Sequence, residues 1–179
     1  QVASVNSTTI SAALGDVNGD GIEDFAAGPF TNGTNIVTNL YYGSNTYGYN
    51  NVTGVTVPNS SDNLVILGGG NLGFLNSAGD VNGDGYGDVA VNYGDSKLTG
   101  TGRQGLVSIF YSKSSKVFRK PAITLGRDIS EGADYFDFGA VLPTITGDFN
   151  GDTYPDIVIT TKDFVFIYYG GSNGVKATP

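Results

Sequence analysis

The chain has no cysteine and no histidine. The first absence rules out disulfides and zinc–thiolate centres. The second removes the imidazole base that would activate a serine or cysteine nucleophile. Tryptophan is missing as well. Lack of cysteine leaves the compartment open, since a secreted protein can do without disulfides. Basic residues are few, 9 against 17 acids for a net charge of −8, and Arg119-Lys120 is the only adjacent basic pair. Phosphate backbones are held by clustered cations, so a nucleic-acid partner is not expected. The longest apolar run, 164–169, is too short to span a bilayer, and a soluble chain without a membrane span is expected. No signal-peptide pattern opens at Gln1, as a mature or trimmed N-terminus would show. Long amphipathic helical patterns are absent too.

What the chain does contain is glycine, 28 residues of it, set among β-branched and aromatic residues. Hydrophobic residues at 39%, with 12% aromatics, suit a folded domain rather than a disordered tail. A length of 179 residues is enough for one domain with a real core. Short strands joined by tight turns follow from this mixture, so the expected fold class is all-β.

The acids are placed rather than spread. Nine of the 17 fall in three near-copies of one stretch: GDVNGDGIED (15–24), GDVNGDGYGD (79–88) and GDFNGDTYPD (147–156). The copies start 64 and then 68 residues apart, and such internal periods mark a repeat architecture. Each is followed by a short apolar run, at 24–28, 88–92 and 156–160, and then by an alternating aromatic run at 36–43, 106–112 and 164–170. A candidate strand precedes each, at 8–14, 73–78 and 138–145. A fourth follows in two repeats, at 64–68 and 122–126, with 52–57 a rival for the first of these. The unit is therefore about four strands, with an acidic loop between the first two. Approximate repeats run 8–68, 72–127 and 136–171 within a single domain, 1–179. A repeated four-stranded antiparallel unit is the pattern of a β-propeller blade.

Each loop offers side-chain oxygens at positions 1, 3, 5 and 9. In the first these are Asp16, Asn18, Asp20 and Asp24; in the second, Asp80, Asn82, Asp84 and Asp88; in the third, Asp148, Asn150, Asp152 and Asp156. The carbonyl of position 7 (Ile22, Tyr86, Tyr154) could add another oxygen. Gly19 and Gly21 permit the tight turn that brings alternate side chains onto one centre. Three carboxylates and an amide suit calcium, which takes 6–8 oxygen ligands in flexible geometry, better than the smaller octahedral magnesium ion. An EF-hand needs an acid at position 12, where this chain has Ala27, Val91 and Ile159. A plain polar turn would also use Asn-Gly and Asp-Gly, yet three in-phase copies that keep the ninth-position Asp favour a metal. The third loop departs from the pattern: Thr153 stands where the others have Gly21 and Gly85, so weaker binding or an altered turn is expected there. About three structural calcium ions are the expectation, and chelation should lower thermal stability.

With these loops, the chain resembles the FG-GAP repeats of integrin α-subunit β-propellers. Those carry a D-x-N-x-D-G-x-x-D loop between the first and second strands of a blade. The naming Phe-Gly pair stands here as Phe138-Gly139; the second repeat has a weaker Gly73-Phe74, and the first has none. The resemblance implies calcium at one rim of each blade, held by the loop side chains. It also implies a secreted or cell-surface setting, in adhesion, ligand binding or surface structure, or as an accessory propeller beside a catalytic domain. Three blades are fewer than the 4–8 that close a ring. The ring would then be incomplete, completed by further blades of a longer chain, or completed by other copies of itself. Residues 1–6 could serve as a strand that complements a neighbour's blade, and self-assembly through terminal strands follows as one expectation.

The remaining features carry less weight. Sequons at Asn6, Asn32, Asn51 and Asn59 are candidate glycosylation sites in a secreted glycoprotein. Glu131, Asp134 and Asp137 form an acidic cluster read as a solvated loop rather than a catalytic pair. Catalysis by this chain is not expected. The functional expectation is an extracellular, calcium-stabilised structural or binding module. Its rivals are an adhesin or lectin-like propeller with a protein or glycan ligand, and an accessory fragment of a larger protein.

Overall fold

The computed structural model describes residues 10–32, 35–43, 64–65, 72–93, 105–113, 116–117, 122–126, 138–139 and 144–179. Among these residues all regular structure is strand. The first sheet is a meander of β1 (Ile10–Gly15), β2 (Asp24–Asn32), β3 (Asn35–Tyr41) and β4 (Leu64–Val65). The second runs β5 (Leu72–Gly79), β6 (Asp88–Tyr93), β7 (Leu106–Phe110) and then β10 (Ile123–Leu125). A small hairpin of β8 (Ser112–Lys113) and β9 (Lys116–Val117) stands between β7 and β10. The third sheet is β11 (Ile145–Gly147), β12 (Asp156–Thr160) and β13 (Val165–Tyr168). Every pairing in the three sheets is antiparallel.

Alternation decides what each sheet buries. In the second sheet Ala90 pairs with Ile109 and points to one face, while Val89 pairs with Phe110 and points to the other. The first face joins a core with Ala78, Val81, Val107 and Leu125, which meets Ile157, Ile159 and Tyr168 of the third sheet. The second joins Leu75 and Val91, which meet Leu14, Val17 and Ala26 of the first sheet. The molecule is thus a file of three sheets, face on face, with two apolar cores between them. Each fully buried Val, Ile or Phe contributes about 1.5–3 kcal/mol in such a core. The opening strands β1 and β11 both lie beside β5. Inner strands that converge in this way are the arrangement of propeller blades around an axis.

One expected element differs. The run 138–145 does not form one strand: Phe138 and Gly139 make a turn, and β11 starts only at Ile145. Gly139 takes a φ of 65°, which a β-strand does not accommodate. The third sheet has three strands among the described residues, in keeping with the repeat that offered no fourth candidate. Phe138 is still fully buried between the second and third sheets. Around it, Asn92 donates to the Gly139 carbonyl at 2.6 Å and accepts from the Thr144 hydroxyl at 2.8 Å, so the second sheet is tied to the start of the third. The rival strand 52–57, the acidic cluster of Glu131, Asp134 and Asp137, and the N-terminal residues 1–6 lie outside the described residues.

Candidate metal centres in the three acidic loops

Each acidic loop joins the first two strands of its sheet, as the repeat pattern implied. The three share one hydrogen-bond scheme, except that in the second the Gly83 N–H donates to the Asp80 backbone carbonyl at 3.3 Å. Asp16 accepts from the backbone N–H groups of Gly19 at 2.7 Å, Asp20 at 3.0 Å and Gly21 at 2.6 Å. Asp80 accepts from Asp84 and Gly85, and Asp148 from Gly151, Asp152 and Thr153. The Asn at position 3 accepts from the position-5 backbone and donates its amide to the position-5 carboxylate, at 3.0 Å for Asn18 and Asp20. Asn82 with Asp84, and Asn150 with Asp152, repeat it. The second oxygen of position 5 holds the position-7 N–H, as in Asp20 with Ile22, Asp84 with Tyr86 and Asp152 with Tyr154. Positions 1, 3 and 5 are therefore brought together on one exposed turn in all three loops.

Position 9 plays a different part. Asp24, Asp88 and Asp156 are fully buried at the start of the second strand. One oxygen of each takes the position-2 N–H: Val17 at 2.9 Å, Val81 at 3.1 Å, Phe149 at 2.9 Å. The other takes an N–H just beyond the third strand, from Gly43 at 2.8 Å, Ser112 at 2.8 Å or Gly170 at 3.0 Å. This carboxylate is a clasp that fastens the loop to the third strand. Sequence reasoning missed the donors Gly43, Ser112 and Gly170. Their signal was present in the repeated YYG, FYS and YYG triplets at 41–43, 110–112 and 168–170.

Burial strains two of these acids, Asp88 and Asp24, electrostatically. Desolvation pushes the Asp88 carboxyl up to about 7 against the lowering effect of its two backbone donors, and Asp84 and Asp80 add repulsion. Asp24 is raised for the same reasons, burial first, with Asp20 and Asp16 as its charged neighbours. Four oxygen-bearing side chains, three of them carboxylates, thus share each loop close enough to repel. Among the described residues, however, no group of three or more His, Cys, Asp or Glu side chains stands in an arrangement ready to hold a metal ion. The acids are divided between the exposed turn and the buried clasp, and their oxygens serve backbone N–H groups. Each carboxylate oxygen accepting one such bond retains a second lone pair. The donor chemistry is oxygen-only and anionic, which fits a hard divalent cation.

Thr153 does not alter the third turn. It adopts a φ of 77°, alongside 83° at Gly21 and 89° at Gly85, and is the one non-glycine with positive φ among the described residues. Of the position-7 side chains, Tyr86 and Tyr154 reach the neighbouring sheet, whereas Ile22 lies against Gly43 of its own. A Cβ built on Gly19 would lie 2.5 Å from the Tyr86 ring, and one on Gly83 would strike the Tyr154 ring. Beside this contact the Gly87 N–H donates to the Asp16 carbonyl at 2.7 Å, and the Gly171 N–H to the Val81 carbonyl at 3.0 Å. The acidic loops therefore interlock along one rim of the file. Of the sequon asparagines, only Asn32 is described; it ends β2 opposite Asn35.

A repeated antiparallel sheet, stacked face on face and bearing an acidic loop between its first two strands, defines the blade of a β-propeller. Residues 73–110, which cover the second loop and the strands around it, match the FG-GAP repeat family model. Integrin alpha-PS2 of Drosophila melanogaster is 33% identical over 168 residues, covering 88% of this chain and 12% of that protein. Integrin alpha-8 and Integrin alpha-V of Gallus gallus are each 28% identical, over 186 and 184 residues, covering 94% of this chain and 16% of theirs. The chain is an FG-GAP repeat protein, integrin-α-like over most of its length. It spans no more than 16% of the length of these relatives.

Proposed function

We propose that the chain is a calcium-stabilised binding or structural module of a secreted or cell-surface protein, of the adhesion type, with no catalytic activity of its own. The observation that carries this reading is the threefold repetition of one oxygen-rich loop, with the same hydrogen-bond scheme and the same buried ninth-position Asp. The ligands would be Asp16, Asn18, Asp20, Asp24 and the Ile22 carbonyl in the first loop. Asp80, Asn82, Asp84, Asp88 and the Tyr86 carbonyl would serve the second, and Asp148, Asn150, Asp152, Asp156 and the Tyr154 carbonyl the third. Calcium there would supply positive charge that cancels carboxylate repulsion and pins the turn. The blade surface would be left to recognise a protein or glycan partner.

Calorimetric titration of chelator-treated protein with calcium tests the reading. About three sites are expected, with one lost in each of Asp20→Ala, Asp84→Ala and Asp152→Ala. Bound calcium at 100 times its Kd adds about 2.7 kcal/mol per site, so the melting temperature should fall by several degrees in excess EGTA. An unchanged melting temperature together with no heat of binding would refute it. A second reading, a self-assembling structural protein, is favoured by the exposed apolar side chains gathered on the third sheet.

A further inference from the structure

Asparagine followed by glycine is among the least durable dipeptides in a chain. Glycine has no side chain to keep its nitrogen away from the asparagine carbonyl carbon. Attack by that nitrogen on Cγ closes a five-membered imide and expels the side-chain amide as ammonia. The dipeptide occurs five times here, at Asn18-Gly19, Asn32-Gly33, Asn82-Gly83, Asn150-Gly151 and Asn173-Gly174. Three of the five are positions 3 and 4 of the acidic loops. Gly33 lies outside the described residues, and the other four pairs differ in how firmly the fold holds their reacting groups.

The nucleophile is tied down in three of them. The Gly19 N–H donates to the Asp16 carboxylate at 2.7 Å, and the Gly151 N–H to the Asp148 carboxylate at 2.7 Å. The Gly174 N–H donates to the Gly171 carbonyl at 2.6 Å, and Gly174 is buried against the Tyr111 hydroxyl. Gly83 has the weakest hold of the four, 3.3 Å to the neutral Asp80 carbonyl. The leaving group is loosest there too. The Asn82 amide stands 3.3 Å from the Asp84 carboxylate, against 3.0 Å for Asn18 with Asp20 and for Asn150 with Asp152. A hydrogen bond to a carboxylate is roughly twice as strong as a neutral one, so the tied glycines resist turning toward their neighbour's side chain. Ring cover does not make the difference between the first two loops, since Tyr86 lies on Gly19 as Tyr154 lies on Gly83. Gly83 is exposed and Asn82 half-buried, so water reaches the pair.

We propose that Asn82 is a site of spontaneous modification, converted through the imide to aspartate or isoaspartate ahead of Asn18, Asn150 and Asn173. In the first step the Gly83 nitrogen bonds to Asn82 Cγ, the Cγ–Nδ2 bond breaks, and the Gly83 proton leaves with Nδ2 as ammonia. Water then opens the ring. Cleavage at Cγ restores the main chain and leaves aspartate, whereas cleavage at the α-carbonyl routes the chain through Cβ and leaves isoaspartate. Either product lacks the amide that Asn82 donates to Asp84. Aspartate also adds a fourth carboxylate to Asp80, Asp84 and Asp88. Isoaspartate inserts a methylene into the main chain just ahead of Gly83, where the Tyr154 ring rests, and so loosens the joint to the third sheet. The second acidic loop is altered while the first and third stay intact. The step needs no metal, so the proposal stands apart from the calcium reading.

Ageing the 179-residue chain in EGTA at neutral pH, with peptide mapping by mass spectrometry, tests this. Heavy-oxygen water marks each acid formed through the imide, and a protein isoaspartate methyltransferase counts the isoaspartate. Conversion at Asn82 is expected about tenfold or more faster than at Asn18, Asn150 and Asn173 in the folded chain. In urea the four rates should converge, because the fold sets the order. Asn82→Gln should abolish the fast site. Asp16→Ala frees the Gly19 N–H and should raise conversion at Asn18 toward that at Asn82, which serves as the standard within the same molecule. Asp148→Ala should do the same for Asn150, and near-UV circular dichroism confirms that each variant is folded. Equal rates at the four sites in the folded chain would overturn the proposal. So would fastest conversion at Asn150, since Gly151 has no ring over it and cover, not the N–H bond, would then set the order.

Discussion

Thr153 sits in the left-handed region at a φ of 77°, where the other two loops place glycine. A residue with a Cβ spends about 1–2 kcal/mol to stay there, and a β-branched one has the least reason to do so. The turn persists because Asp148 fastens the Thr153 N–H at 2.9 Å and Asp152 holds the next one. Relief of this strain is partly offset by the extra chain entropy of glycine. Thr153→Gly should therefore stabilise the fold by up to about 1 kcal/mol, read as a higher urea midpoint at unchanged m-value. Asp88 makes a second residue-scale prediction. Its carboxyl titrates near 7 in the fold against an ordinary 3.8, so folding favours the protonated acid. In calcium-free buffer its contribution is full below about pH 4 and is lost as the pH climbs through 7. The groups that bear on it are Asp84 and Asp80 of its own loop and Tyr111 beyond the third strand, which is itself raised by burial and by Asp88. Calorimetry of metal-free protein should show the melting temperature falling between pH 4 and 7, and added calcium should flatten that slope.

At the scale of the element, the acidic loop does two jobs with one set of residue types. Its exposed turn gathers positions 1, 3 and 5, and its buried ninth residue clasps the third strand. The same loop then locks to the next blade through a Tyr laid on a glycine. Gly19 and Gly21 separate these effects, since both have positive φ, 75° and 83°, but only Gly19 is covered by Tyr86. Gly21→Ala should cost only the backbone strain of about 1–2 kcal/mol. Gly19→Ala should cost at least about 1 kcal/mol more, because the ring must also be displaced. Equal losses in paired denaturation curves would show that Tyr86 does not lock the loops. Pro155 shows how the joint tolerates substitution. It has no N–H to repeat the Gly87 bond, and the neighbouring blades are joined instead by Gly171 and the Val81 carbonyl.

At the scale of the whole molecule, three sheets share two cores, and each interior face exists only because another sheet covers it. That is the behaviour of a repeat array, in which stability comes from blades and from the joints between them. The C-terminal segment adds a strap across one joint: the Val175 N–H donates to the Tyr111 hydroxyl at 3.0 Å, and the Lys176 N–H to the Tyr169 carbonyl at 3.0 Å.

Much of this was determined by the sequence alone. Three in-phase acidic stretches set the repeat, the short apolar runs after them marked β2, β6 and β12, the alternating aromatic runs marked β3, β7 and β13, and the missing cysteine and histidine closed off the common catalytic chemistries. These features are local, written in residue type and spacing, and short-range physics reads them directly. Tertiary structure decided what spacing cannot express. It turned the ninth Asp from one ligand candidate among four into a buried clasp, because its donors Gly43, Ser112 and Gly170 lie 14 to 24 residues away in the chain. It broke the run 138–145 at Gly139, since that glycine is pressed against Val107 and held by Asn92 from the neighbouring sheet. It also separated chemically similar valines into buried Val107 and exposed Val165, because burial is conferred by the neighbouring blade and not by the residue itself.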